Sequence, residues 1–147
     1  MIEYGIVKDR KERESAYHLR HVVFVVEQKV PEDMELDEFD AEAIHAIARD
    51  GEAVVGTGRL VVEGRRGRIG RMAVLKERRG EGIGNGLTEV LEGRARELGL
   101  TEIYLHAQVH AKDFYVKKGY AERGEEFDEA GIAHIEMYKV LGGGIIQ

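Results

Sequence analysis

The sequence predicts a single α+β domain in which a mixed β-sheet of about six to seven strands is flanked by about four helices. Two observations support this class. Apolar alternation predicts three antiparallel strands at 43–49, 54–62 and 68–75, and the pair Asp50-Gly51 is typical of a two-residue hairpin. A glycine-rich stretch then leads into a segment with the apolar spacing of a helix, at 84–99. Strand, turn and helix signals therefore alternate in the order of one mixed sheet.

Length and composition limit the possible classes of protein. The 147 residues suit one domain, which we expect at 1–141, followed by a flexible Gly-rich tail at 142–147. The absence of cysteine excludes disulfides and thiolate metal sites, and the net charge of -6 argues against nucleic-acid binding. No stretch has the apolar length of a membrane span. We expect a cytoplasmic protein, monomeric or homodimeric, without a metal.

The three antiparallel strands at 43–49, 54–62 and 68–75 form a meander. Before it, the sequence predicts a strand at 2–7 and a helix that begins in the charged run 8–14. An apolar stripe from Tyr17 to Val26 continues this helix, which ends before Pro31. The acidic stretch 32–40 follows. Its acidic side chains predict either a solvated loop or short helix, or an acidic rim that attracts a cationic amine.

After the glycine-rich stretch, the sequence predicts a strand at 102–107, a short helix at 111–118 and strands at 120–127 and 132–140. Gly56 and Gly58 inside the second meander strand predict a bulge or a close approach of another element. The helix at 84–99 should bury one apolar face, made of Leu87, Val90, Leu91, Ala95 and Leu98.

The turn between the third meander strand and this helix has the chemistry of an anion site. Its glycines allow close approach of a phosphate, and the N–H groups at a helix start attract negative charge. Neither the P-loop pattern nor the dinucleotide pattern G-x-G-x-x-G fits any register here. The pattern R-x-x-G-x-G fits fully, with Arg79, Gly82 and Gly84. Arg78 and Arg79 add forked donors suited to phosphate oxygens.

This pattern resembles the acyl-CoA pyrophosphate loop of the GNAT family of N-acetyltransferases. A second segment, 111–120, is similar to the family's A-x-x-(F/L)-Y-x-K-x-G-(F/Y) motif, and the strand end at 71–74 looks like its central strand, whose backbone pairs with the pantetheine arm. The resemblance implies acetyl-CoA as co-substrate. The residues that it implies for acetyl-CoA binding are Met72, Ala73, Val74, Arg79, Gly80, Glu81, Gly82, Ile83, Gly84, Gln108, Phe114 and Tyr115. Gln108 stands where the family often has Asn.

The N-terminal half resembles the ElaA/YjcF-like branch of the family. The residues that carry this resemblance are Arg20, the run 23–28, Pro31, the run 35–37 and His45. The implied activity is acetyl transfer from acetyl-CoA to a primary amine of a small molecule, directly and within a ternary complex. Two alternatives remain open: acetylation of protein lysines or N-termini, and a non-catalytic acyl-CoA sensor.

Direct transfer needs an acid for the departing thiolate and an unprotonated amine. The second motif implies that Tyr115 is the acid, since a phenol is protonated at neutral pH. The sequence does not single out the base. Glu27 and His134 are candidates, and a chain of water molecules is the alternative.

Overall fold

The computed structural model describes residues 1–141 and contains a mixed seven-stranded sheet with four α-helices, which confirms the predicted class. The predicted tail, 142–147, lies outside the described residues. The sheet order is β1-β2-β3-β4-β5-β7-β6. The strands are β1 (Ile2–Ile6), β2 (Ile44–Asp50), β3 (Ala53–Glu63), β4 (Arg66–Val74), β5 (Glu102–Gln108), β6 (Ala121–Glu129) and β7 (Ile132–Val140).

The helices are α1 (Arg10–Arg20), α2 (Glu32–Glu35), α3 (Ile83–Glu97) and α4 (Lys112–Lys117). The predicted order of elements is therefore confirmed, with one local difference: α1 continues as a π-helical segment, His21–Glu27. The run of β-branched residues in this segment has low helix propensity, which favours the departure from α-helical geometry. Among residues 1–141, no helix is long and apolar enough to cross a membrane.

The described chain divides into two compact units. The first contains Met1–Val61 and Ile69–Arg94, and the second contains Val62–Arg68 and the chain from Ala95 onward. In the first, β1 pairs with β2 and β2 with β3, both antiparallel. In the second, β7 pairs antiparallel with β5 and β6. That residues 1–141 act as one domain stays a prediction.

The core of the first unit explains the two glycines of β3. α1 and the π-helical segment cover one apolar cluster through Leu19 and Val23, which pack with Ala73 of β4. On the other side, a methyl group on Gly56 would lie 2.8 Å from Cγ2 of Ile83, and one on Gly58 would lie 3.3 Å from Cδ1 of Leu91. The predicted close approach is therefore that of helix α3, which can lie this close to β3 only because Gly56 and Gly58 have no side chains.

Helix α3 also ends where its sequence predicts, with its cap at Gly99. Gly99 has φ +77° and donates to the carbonyl of Arg96, while Leu100 donates to the carbonyl of Ala95. These are the two hydrogen bonds of a Schellman cap, which favours glycine at this position. Leu87, Leu91 and Ala95 are buried as predicted, but the prediction for Leu98 is wrong, because Leu98 in the last turn is 43% exposed.

Candidate active site

The glycine turn before α3 forms an open cradle of backbone. Gly80 and Gly82 have φ of +86° and +84°, a left-handed conformation that strains any residue with a Cβ atom. At Gly80, Gly82 and Gly84, no atom beyond the adjoining backbone lies within 4 Å of the place where a Cβ would stand. The cradle is therefore open to a group that needs close contact with the backbone.

The polarity of the cradle suits an anion. The N–H of Gly86 donates to the carbonyl of Gly82 at 3.1 Å, so the N–H groups of residues 83–85 precede the first helical hydrogen bond. They lie at the positive end of the α3 dipole, where negative groups are stabilised. A phosphate fits both the space and the polarity of this turn.

The two arginines before the glycines bind carboxylates of the protein. Arg79 donates to both oxygens of Glu27, at 2.7 and 2.8 Å, and its Nε donates to the carbonyl of Val74 at 3.0 Å. Arg78 contacts Glu81 at 3.1 Å and Asp50 at 3.0 Å. Both side chains therefore have acidic partners in the structure, and their contacts with a phosphate stay a prediction.

The end of β4, which the resemblance assigns to the pantetheine arm, has an unusual backbone. Arg71 has φ +50°, which is rare for a residue with a side chain and often marks functional sites. Its guanidinium holds this conformation by bonds to the carbonyl of Glu35 at 3.0 Å and to Asp37 at 3.1 Å. The next residues in the strand are Met72, Ala73 and Val74, of which Ala73 is buried.

A buried ion-pair network takes up three of the acidic residues at 32–40. Arg20, which is 1% exposed, contacts Glu35 at 2.8 Å and Asp40 at 2.7 Å. Arg59 contacts Asp40 at 2.9 Å and Asp37 at 2.7 Å. Burial alone would raise the pKa of Asp40, but the bonds from Arg20, from the Asp37 N–H and from Arg59 hold it well below its ordinary value. Of the two alternatives for this stretch, the short helix is observed, as α2, whereas these three carboxylates do not form an acidic rim because arginines neutralise them.

The same network includes the buried side chain of His45. This side chain is 2% exposed, and its Nε2 lies 3.1 Å from the carbonyl oxygen of Asp40. Burial lowers its pKa, so the ring is neutral at pH 7. The branch residues Arg20, Glu35 and Asp37 thus belong with His45 to one structural cluster of the first unit.

In the second unit, α4 carries the aromatic pair of the second motif. Tyr115 is half-buried, and its ring meets those of Phe114 and Tyr120 edge-on at 5.0 and 5.7 Å between centroids. Burial raises the pKa of the Tyr115 phenol, which keeps the hydroxyl protonated at neutral pH. Gly119, with φ +96°, ends the helix as the motif predicts.

The other predicted site residues of this unit already have partners. Oε1 of Gln108 lies 2.5 Å from Nε2 of His110. His134 is 7% exposed, its Nδ1 lies 2.8 Å from the carbonyl of Ile132, and its ring stacks on Phe127 at 6.0 Å. Within residues 1–141, no three His, Asp or Glu side chains come together in a way that could hold a metal ion.

Comparisons with known proteins agree with this geometry. The family model described as "Acetyltransferase (GNAT) domain" matches residues 9–141. The uncharacterized N-acetyltransferase YjcF of Bacillus subtilis is 39% identical, over 91% of this chain and 96% of its own. ElaA of Escherichia coli is 32% identical over 81% of each chain.

Solved structures give the same result. The crystal structure of ElaA superposes with a TM-score of 0.83 at 28% identity and covers 95% of this chain and 99% of its own. An acyl-CoA N-acyltransferase from Pseudomonas aeruginosa gives 0.85 at 30% identity, over 95% and 99%. The chain belongs to the GNAT family and is an N-acetyltransferase.

Proposed function

We propose that this protein transfers the acetyl group of acetyl-CoA to a primary amine of a small molecule, directly and within a ternary complex. Membership of the GNAT family supports acyl transfer from an acyl-CoA. The observation that carries the proposal is the open backbone cradle at Gly80, Gly82 and Gly84, in the segment that resembles the CoA pyrophosphate loop of the family.

The resemblance to the family supplies the roles that we propose for this chain in binding. Acetyl-CoA supplies the reactive thioester. Backbone N–H groups of the turn bind the pyrophosphate, and the strand end Met72–Val74 pairs with the pantetheine arm, where the N–H of Ala73 or Val74 donates to the developing oxyanion. Gln108, Phe114 and Tyr115 make further contacts with the cofactor arm. The turn residues whose backbone is proposed to line the pyrophosphate are Arg79, Gly80, Glu81, Gly82, Ile83 and Gly84.

For proton transfer we assign the acid role to Tyr115, whose raised pKa keeps its proton available. Three routes could remove the proton from the amine. The hydrogen bonds from Arg79 lower the pKa of Glu27, which weakens it as a base. His134 keeps Nε2 for proton exchange, 4.0 Å from Glu129. A water chain to solvent is the third route, and it needs no side chain.

A panel of amines tests the reaction class. We expect the protein to release free thiol from acetyl-CoA only when a suitable small primary amine is present, because the amine is the nucleophile. The panel contains small amines, a lysine peptide and a peptide with a free N-terminus, and the readout is thiol release with mass detection of the product. Turnover with the peptides but not with the small amines would mean that the acceptor is a protein. CoA binding without turnover on any amine would favour the sensor.

Gly82→Val tests the cradle. A branched side chain here fills the space of the phosphate oxygens, so we expect CoA affinity to fall by ~1–3 kcal/mol, the scale of an unmade charge-assisted hydrogen bond. Isothermal titration calorimetry with CoA measures this loss. Gly64→Val is the matched control, because Gly64 also has positive φ, at +64°, and open space around it. Equal CoA affinity in both variants would contradict the assignment of the turn.

A further inference from the structure

Glu27 reaches the glycine turn from an unusual piece of backbone. It is the last residue of the π-helical segment, whose wider turn shows in the bond from the N–H of Gln28 to the carbonyl of Val23, at 3.0 Å. After the segment, the N–H of Val30 donates to the carbonyl of Phe24 at 2.8 Å. The chain leaves this segment through Lys29, which has φ +64°. π-helical turns are frequent at functional sites, where they alter the direction of one side chain.

All three nitrogen atoms of the Arg79 guanidinium form hydrogen bonds, two of them with Glu27. Both terminal nitrogens of Arg79 bind the two carboxylate oxygens side by side, and the remaining Nε binds the carbonyl of Val74. One guanidinium thus connects the end of the π-helical segment, the end of β4 and the first residue of the turn. This fork-to-fork geometry fixes orientation as well as distance.

The neighbouring arginine is engaged in the same way. Arg78 binds Glu81 across the turn and Asp50 of the β2–β3 hairpin. Each guanidinium of the turn therefore has at least one carboxylate as a partner. The backbone N–H groups at the start of α3 add the positive end of the helix dipole to the cradle.

We infer that Glu27 and Arg79 form a clasp that holds the glycine turn in its phosphate-binding shape, with Glu27 as a positioning residue. In this arrangement Arg79 acts through the shape of the turn, and the backbone binds the phosphate. The inference rests on the proposed function, because it assumes that the turn binds CoA. It excludes two other roles: a base role for Glu27 and a direct phosphate contact for the Arg79 side chain.

Charge reversal separates the three roles. CoA affinity is measured by calorimetry for Glu27→Gln, Glu27→Arg, Arg79→Glu and the double reversal Glu27→Arg/Arg79→Glu. For the clasp we expect about fivefold to tenfold weaker binding in Glu27→Gln, about 50-fold in each single reversal, and recovery of at least about tenfold in the double reversal. kcat of Glu27→Gln at saturating acetyl-CoA should stay within about threefold of wild type.

The two rival roles predict different changes in CoA affinity and in kcat. If Arg79 bound phosphate directly, Glu27→Gln would leave CoA affinity unchanged or increase it, and the double reversal would bind as poorly as Arg79→Glu. If Glu27 were the base, kcat of Glu27→Gln would fall by about 10²-fold or more, with CoA affinity unchanged. Either result overturns the clasp.

Two controls complete the experiment. Glu14→Gln removes a carboxylate from an exposed pair with Arg10, at 3.0 Å, and should leave CoA affinity unchanged. Thermal melts check that each variant is folded, which the part-exposed positions of Glu27 and Arg79 favour. Wild-type protein that fails to bind CoA overturns the proposed function and the clasp together. Wild-type binding that Glu27→Gln does not weaken overturns the clasp alone.

Discussion

We expect Arg20→Met to lower the free energy of unfolding by about 3–5 kcal/mol, the cost of breaking a buried ion pair by removing one partner. Arg20 is 1% exposed and donates to Glu35 and to both oxygens of Asp40. Methionine has a similar volume but no donor, so the two carboxylates lose the buried cation that they share while the packing changes little. Asp40 keeps Arg59 at 2.9 Å, and Glu35 keeps Arg71 at 3.4 Å.

Urea denaturation at pH 7 measures this loss. Arg10→Met is the matched control, because Arg10 and its partner Glu14 are 87% and 63% exposed and such pairs contribute little. We expect the control to stay within about 0.5 kcal/mol of wild type. Equal stability of the two variants would show that the network adds nothing to the fold.

The loss of stability in Arg20→Met should also depend on pH and become smaller in acid. Since the folded protein holds the pKa of Asp40 below its ordinary value, its ionised form stabilises the fold above the unfolded pKa, about 3.9. That stabilisation is lost as the pH falls through the folded pKa. In Arg20→Met the pKa of Asp40 is depressed less, so the stability difference from wild type should shrink as the pH falls below about 4. A constant difference would mean that Asp40 is not the group concerned.

The order of elements was predictable because it depends on local patterns. Asp50-Gly51 specifies a hairpin, the spacing of Leu87, Leu91 and Ala95 specifies one helix face, and Gly99 caps that helix. Each of these signals acts within a few residues of the chain. The glycine turn was found in the same way, because the backbone itself forms the cradle.

The partners of charged side chains were not predictable in this way. Glu35, Asp37 and Asp40 have the pattern of a solvated surface, yet they meet arginines that are 15 to 36 positions away in the chain. Periodicity carries no information about such pairs. A charged residue inside an otherwise apolar strand, such as Arg59 in β3, was the available signal, because a buried charge needs a partner.

The backbone of Arg71 is a further example. Its sequence context is that of an ordinary strand, and only the structure shows the left-handed conformation and the carbonyl and carboxylate that hold it. Sequence reasoning therefore identified the strand, whereas tertiary contacts determine its local shape. The ion pairs of the first unit connect the acidic stretch to the strand end proposed for the pantetheine arm, so these features belong together physically.

Tyr115→Phe should lower kcat by about 10²-fold, the low end for a lost general acid, because a thiolate also leaves unassisted. The substitution removes one oxygen and keeps the ring, so the edge-on contacts with Phe114 and Tyr120 remain. CoA affinity should stay within about threefold, since the hydroxyl meets the sulfur mainly as negative charge develops. kcat on the best amine and the CoA dissociation constant by calorimetry measure the two effects.

Tyr17→Phe is the matched control for the loss of a hydroxyl. Tyr17 donates to the carbonyl of Asp40 at 3.4 Å in the first unit, and we expect its removal to change kcat by less than about twofold. The pH profile adds a second readout: because burial raises the pKa of Tyr115 above its ordinary value near 10, wild-type kcat should not fall through loss of this proton below about pH 10. If kcat is unchanged in Tyr115→Phe while chemistry limits the rate, another group or water protonates the thiolate, and Tyr115 is only a packing residue of α4.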